Sequence, residues 1–279
     1  MAHDTTERFG EGLIQHGPQN NRIYLMKLEG PGSPDYVARL EQLAREQQYT
    51  KIFAKVPADK AGAFCASGYR LEARVPGFFR GETDGLFLGA YLDPARAHAP
   101  DADRIERNIE IARAKAREWS GPPELDPRFT IRPAGPDDAE AMADVYREVF
   151  ETYPFPIHDP DYLRETMRTH IDYFVVCERG RMVAVSSAEM DHENRNVEMT
   201  DFATRPAWRG HGLAVHLLEL MDTAMADRGM PTAYTIARAA SAGMNVTFAR
   251  CGYTFAGTLI NNTQISGGLE SMNIWYKPL

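Results

Sequence analysis

Residues 205–221, RPAWRGHGLAVHLLELM, decide the fold. A strand over residues 196–204 (NVEMTDFAT) feeds into them, and a long amphipathic helix over 212–228 leaves them. The loop between holds Arg209, Gly210, His211, Gly212, Leu213 and Ala214. Glycines let the backbone turn so that successive N–H groups converge. The helix start leaves further N–H donors unpaired and carries a partial positive charge. Together these features make an anion site. The dipole alone contributes about 0.3–1 kcal/mol, so convergent N–H bonds must supply most of the affinity. Arg205, Arg209 and His211 add cationic character at the mouth. The loop lacks the GK[ST] of a nucleoside triphosphate site, and no GxGxxG of a dinucleotide site follows the strand.

Outward from this loop, residues 129–279 read as one α/β unit. Strands are expected over residues 129–134, 173–178, 181–191, 196–204, 232–237, 254–265 and 270–276. Helices are expected over residues 135–152, 161–170, 212–228 and 242–250. The order is β-α-α-β-β-β-α-β-α-β-β. Two prolines make residues 153–157 (YPFPI) a rigid turn between the first two helices. Upstream, residues 1–20 are expected to be a mobile tail, residues 21–95 a smaller α/β unit, and residues 96–128 a connecting helix and linker. The smaller unit echoes the larger. At an offset of 184, Gly68-Tyr69 matches Gly252-Tyr253, Phe64 matches Phe248 and Ile52 matches Ile236. It is read as a degenerate half-copy without the anion loop.

The composition sets outer bounds. The chain has 279 residues, a formal charge of −8 and 43% hydrophobic residues, which excludes a disordered chain or a disulfide scaffold. Cys65, Cys177 and Cys251 lie far apart with no CxxC pair, so no metal site is expected. The acidic balance argues against nucleic acid as a partner, and no apolar run is long enough to span a membrane. A cytoplasmic monomer or homodimer acting on a small molecule is the expectation.

The loop fits the pattern R/Q-x-x-G-x-G/A, and with the strand order around it the chain resembles the GCN5-related N-acetyltransferase (GNAT) superfamily over residues 129–279. Further blocks (NRIYLMKL, TKIFAKVP, YPFPI, AEMD, EMTDFATRP, YTIARA, GMNVTF and ESMNIWYK) resemble the beta-lysine N-acetyltransferases within it, from residue 21 to 277. The resemblance implies a mixed, splayed sheet flanked by helices. It implies acetyl-CoA as co-substrate and acetylation of the terminal amine of (S)-β-lysine to a compatible solute. It also implies that the N–H groups of Arg209 to Ala214 bind the pyrophosphate, while the strand end at Phe202, Ala203 and Thr204 holds the pantetheine arm. Asn245 and Phe248 would complete the cofactor site. An acetyltransferase for lysine, ornithine or a polyamine is the rival enzyme, and an acyl-CoA-binding sensor the rival from another class.

The chemistry asks for particular residues. An alkyl amine has a reference pKa of about 10.4, so at pH 7 about one molecule in ~2,500 is neutral, a deficit of ~4.6 kcal/mol. A base must therefore take its proton, directly or through water. Glu198, four residues before Phe202 on one strand, where the GNAT resemblance implies a base carboxylate, is the first candidate, and Asp201 the second. Period-2 alternation puts Glu198 and Asp201 on opposite faces, so only a bulge brings both into one cleft. The GNAT Y-x-x-x-G-F block here starts with Phe248, which leaves Tyr253, Tyr234 or water as proton donor to the thiolate. Glu189, Asp191 and Glu270 are candidates for holding ammonium groups. Lys51, Lys55, Arg80 and Arg238 are candidates for the substrate carboxylate. Tyr153 and Phe155 are expected to cover the methylene stem.

Overall fold

The protein is described by a computed structural model over residues 4–265 and 267–279. In the first part of the chain run β1 (Thr5–Phe9), β2 (Gly12–Gly17), β3 (Arg22–Leu28), α1 (Pro34–Glu46), β4 (Lys51–Pro57), α2 (Gly62–Ala66), β5 (Arg70–Phe79) and β6 (Thr83–Tyr91). A long helix, α3 (Ala102–Arg117), follows. Then come β7 (Phe129–Pro133), α4 (Ala139–Val149), α5 (Pro160–Thr169), β8 (Ile171–Glu178), β9 (Arg181–Asp191) and β10 (Asn196–Thr204). The chain closes with α6 (Leu213–Asp227), β11 (Thr232–Arg238), α7 (Ala242–Arg250), β12 (Thr254–Ile265) and β13 (Gly268–Pro278). From β7 onward this is the order expected from the sequence. No helix among the described residues is long and apolar enough to cross a membrane.

All the strands belong to one sheet, in the order β1-β2-β3-β4-β6-β5-β12-β13-β11-β10-β9-β8-β7. Pairing is antiparallel except at β3–β4 and β10–β11. The run β3-β4-β6-β5 therefore repeats β10-β11-β13-β12 in order and direction. The echo extends to the turns after α2 and α7. Gly68 (φ 84°) and Gly252 (φ 85°) end the two helices in the left-handed region that only glycine enters without strain. The next residues, Tyr69 and Tyr253, each donate N–H to Phe64 and Phe248 at 3.1 Å, and each ring packs edge-on against that Phe.

One expectation is corrected. Residues 5–17 are not a tail but the hairpin β1–β2, with β2 paired along β3 from Gly12↔Leu28 to Gly17↔Arg22. Asp4 anchors its start by accepting the Asn20 side-chain N–H at 2.6 Å. These short strands escaped the pattern reading because Gly10, Gly12 and Gly17 interrupt their alternation. Residues 1–3 of that stretch lie outside the described residues.

The helices cover three separate cores. α1 and α2 close one face of the N-terminal strands over Ile23, Leu25, Ile52 and Ala54. α6 and α7 cover Val197, Met199, Ala233 and Trp275, while α4 packs over Val175 and Val185 on the opposite face. α3 is not a free connector: Ile105 and Ile109 pack with Ala239, and Asn108 donates to the Ala239 carbonyl at 2.9 Å. The remaining faces of the two halves meet each other through Tyr24, Phe53, Phe78, Phe87, Tyr234 and Ile274. That shared aromatic layer forms the floor of the site.

The start of α1 differs from that of α6. Ser33 caps α1, its Oγ accepting the Tyr36 N–H at 3.2 Å. The Glu11 carboxylate takes the N–H of Gly32 at 2.7 Å and of Ser33 at 3.2 Å, and the Ser33 hydroxyl as well. These donors hold the Glu11 carboxyl below its ordinary range, against the cost of burial. At the N-terminal counterpart of the anion loop, the chain supplies its own anion.

Candidate active site

β10 and β11 pair only from Asn196↔Thr232 to Glu198↔Tyr234. Beyond that point β10 runs to Thr204 and β11 to Arg238, and among the described residues they share no further pairs. The sheet opens just past Glu198. On its other edge β10 pairs with β9, and the register shifts between Thr200 and Ala203, with Asp201 at φ 55°. Aspartate tolerates the left-handed region better than most residues, and an extra residue in one strand re-aims its side chains. Consequently Glu198, Thr200 and Asp201 all face one cavity, while Met199 and Phe202 pack on the α6–α7 side. The bulge that both carboxylates need is present.

The cavity has a volume of about 110 Å³. Glu189, Glu198 and Asp201 are its acids, and Arg22 and Lys55 its bases. Tyr153, Phe155, Tyr162 and Tyr173 wall one side, and Tyr24, Phe53 and Met26 from the N-terminal strands wall the other. The Tyr234 hydroxyl and the Ile236 N–H stand near the Glu198 carboxylate and, with the Lys55 ammonium, favour its charged form. Lys55 in turn places its Nζ 3.1 Å from the Tyr234 oxygen. Burial raises the Glu198 pKa above the usual carboxylate value, and these partners moderate the rise. Asp201 also lies above its ordinary value through burial, but both its oxygens are engaged: Ser187 Oγ donates at 2.5 Å, and the Tyr153 hydroxyl donates to the other. Burial, together with Glu198 and Asp201, pushes Glu189 upward. Burial opposes charge on Lys55, but Tyr24, Glu198 and Glu189 hold its ammonium above the ordinary value.

Across the split, the loop before α6 is exposed from Arg209 to Gly212. Gly210 (φ 86°) and Gly212 (φ 72°) both take the left-handed conformation, and a Cβ on either would meet nothing within 4 Å. Among the described residues, the N–H groups of Gly210, His211, Gly212, Leu213 and Ala214 donate to no protein acceptor. The turn below is fixed by the Trp208 indole, which donates to Glu178 at 2.8 Å and carries Arg181 on its face. His211 sits on Phe129, with the Arg128 guanidinium 3.1 Å from its Nδ1.

The acetyltransferase (GNAT) family model matches residues 139–253. The chain is 37% identical to the Beta-lysine N(6)-acetyltransferase of Methanococcus maripaludis, over 96% of both chains. The chain belongs to the GNAT family of N-acetyltransferases. A second relative, the Beta-lysine N(6)-acetyltransferase of Methanosarcina mazei, is 34% identical, over 88% of this chain and 100% of that one. A solved N-acetyltransferase from Staphylococcus aureus Mu50 superposes with a TM-score of 0.48 at 20% identity, covering 54% of this chain and 98% of that one.

Several residues singled out from the GNAT motifs lie elsewhere. Tyr253 is turned under α6 and α7, where its hydroxyl donates to Asp222 at 2.6 Å, and Asp222 also holds Lys277. Phe248 is buried between Phe202 and Tyr253. Asn245 is saturated: its Nδ2 donates to the Arg238 and Ser241 carbonyls, and its Oδ1 accepts from Asn273 and Trp275 at 2.8 Å. Arg238 and Glu270 pair with each other across β11 and β13, outside the cavity. Arg205 is drawn to Glu148 rather than to the anion loop. Lys51 is buried against Glu72 at 2.8 Å, Arg80 bonds the Glu193 carbonyl, and Asp191 caps Asn194. Lys55, Glu189, Tyr153 and Phe155 do line the cavity. Arg22, Tyr24, Phe53, Tyr162 and Tyr173 were not singled out from the sequence. The alternation of Arg22, Tyr24 and Met26 along β3 was the available signal for the first two.

Proposed function

We propose that this GNAT enzyme transfers the acetyl group of acetyl-CoA to the terminal amine of (S)-β-lysine, with Glu198 as general base. The observation that carries the reading is the acidic cavity opening at the strand split, whose acids outnumber its bases by three to two. A substrate with two ammonium groups and one carboxylate complements that set of side chains, because its ammonium groups favour the ionised form of acids that burial and crowding push upward. The full-length likeness to two Beta-lysine N(6)-acetyltransferases supports the same acceptor.

The loop from Arg209 to Ala214 suits a pyrophosphate, because its N–H groups from Gly210 onward lack protein acceptors among the described residues and its glycines leave open space. The unpaired edge of β10 from Phe202 to Thr204 suits an amide-bearing arm. When bound, acetyl-CoA supplies an activated thioester carbonyl. Glu198 then removes a proton from the ammonium group at the mouth of the split, directly or through one water. The new C–N bond forms as the C–S bond breaks. The amine gives up two protons and the sulfur gains one, so one proton is released per turnover. Asp201, held by Tyr153 and Ser187, stands beside the amine and anchors the YPFPI turn.

Acetyl-CoA turnover measured over a panel of α- and β-diamino acids and polyamines tests the reading. β-Lysine is expected to give the highest kcat/KM. A polyamine ahead of every amino acid would refute it. The cofactor half is tested separately by Gly212→Val. An L-residue in the left-handed region costs about 1–2 kcal/mol, so acetyl-CoA binding should weaken about 5- to 30-fold, with the acceptor KM unchanged.

A further inference from the structure

We propose that Arg22 receives the substrate's carboxylate and so makes the enzyme select diamino acids over plain diamines. This rests on the acetyltransferase reading above and adds the second end of the substrate site.

Arg22 lies on β3, four per cent exposed, with its side chain lining the cavity. One guanidinium nitrogen donates to the Asn262 carbonyl and, at 3.1 Å, to Thr263 Oγ1. Its Nε is buried with no partner, and no carboxylate among the described residues lies within 4 Å of the guanidinium. Burial lowers its pKa to about 10, so it stays charged at neutral pH. A buried charge without a counter-ion is costly unless something supplies one. The other buried cations nearby are satisfied. Arg96 donates to the Asn20, Asn21 and Asn261 carbonyls and to Thr50, and Lys51 has Glu72.

Lys55 is the other cation on the cavity wall, but it belongs to the opposite end. It bonds Tyr234, beside the proposed base, and Tyr24, Glu198 and Glu189 hold its charge. Arg22 pairs in register with Lys51, four residues before Lys55 on β4. At about 3.3 Å per residue the two levels are about 13 Å apart along the strand. Next to Arg22 the Asn262 side chain is one per cent exposed, and its Oδ1 is also unpaired. A fork of N–H donors beside an amide acceptor matches a carboxylate with an ammonium near it. The cavity thus has an amino-acid end at Arg22 and a reacting end at Glu198.

The test compares kcat/KM for β-lysine and for its decarboxylated analogue, pentane-1,4-diamine, in the wild type, Arg22→Met and Arg22→Lys. The wild type should prefer β-lysine. Arg22→Met should lower that preference about 30- to 5,000-fold, the range for unpairing a buried, hydrogen-bonded charge, while turnover of the diamine stays within a few-fold. Arg22→Lys should lie between. Equal loss on both acceptors would overturn the proposal, because it would reveal an arginine that only braces β12. A wild type that takes both acceptors equally would overturn it without any variant. α-Lysine and cadaverine are run alongside. If β-lysine itself fails, only the acceptor assignment falls, and the Arg22 ratio is read from the second pair.

Discussion

Glu198→Gln should lower kcat by about 10²- to 10⁴-fold, the range for removing a general base, and leave acetyl-CoA affinity unchanged. The substitution keeps the side chain's size and an acceptor oxygen facing the Tyr234 hydroxyl and the Ile236 N–H, so the strand split should survive. What it removes is the carboxylate at the last paired residue of β10 and β11. Asp201 cannot take over, since Ser187 and Tyr153 occupy both its oxygens. Calorimetric titration with acetyl-CoA and steady-state kinetics separate the two effects. A variant that binds and still turns over would return the chain to an acyl-CoA-binding role or to another base. The pH profile carries the same signature. Because burial raises the Glu198 pKa, the base is ionised and active only above a point higher than the ordinary carboxylate value. Activity should therefore fall, as pH is lowered, through an acid limb lying above 4.5. That limb should vanish from the residual rate of the Gln variant.

Gly257→Ala should be the most destabilising single methyl addition at the junction of the two halves. The strands β5 and β12 meet at one pair, Gly257↔Ala73. Gly257 has φ 154°, and a Cβ there would stand 2.0 Å from the Glu72 carbonyl oxygen and 2.8 Å from Ala73 Cα. Backbone cannot yield as a side-chain tip does, so the strands must part. Overpacking and backbone strain of this kind cost about 3 kcal/mol or more. At about 2–4 °C per kcal/mol for a domain of this class, melting should fall by roughly 6–12 °C. Parting the strands also disturbs the Glu72 carboxylate, which takes both the buried Lys51 ammonium and the Ile260 N–H at 2.8 Å. Since the N-terminal strands wall the acceptor cavity, the acceptor KM should rise more than the KM for acetyl-CoA. Differential scanning calorimetry with kinetics checks both, and an unchanged melting temperature would show that the junction carries little of the stability.

How far the sequence could be read follows from which interactions are local. The element order after residue 129, the glycine loop and the rigid YPFPI turn rest on periodicity, glycine conformation and proline, and all of them act within a few residues. Glu198 was singled out by its position in the GNAT resemblance, and the structure sets it on the cavity wall. The bulge was not legible, because nothing in TDFA declares that Asp201 will turn left-handed. Its cause is the pairing with β9 and the two donors, Tyr153 and Ser187, from other elements. Tyr253, Phe248 and Asn245 were placed by analogy of position, but their roles are decided by Asp222, Phe202 and Trp275, each from a different segment. Arg22 was missed for the converse reason. It faces a cavity only because the sheet brings the N-terminal face over Tyr234, a contact about 200 positions away in the chain. Arg238 and Glu270, each plausible alone, turned out to satisfy each other.

The most direct measurement is the position of the acetyl group on the product formed from (S)-β-lysine and acetyl-CoA by the unmodified enzyme, read by tandem mass spectrometry. With the amino-acid end at Arg22 and the base at Glu198, the terminal nitrogen alone should carry it. Acetylation at the 3-amino group, or an even mixture of both, would contradict a cavity that orients the substrate end to end.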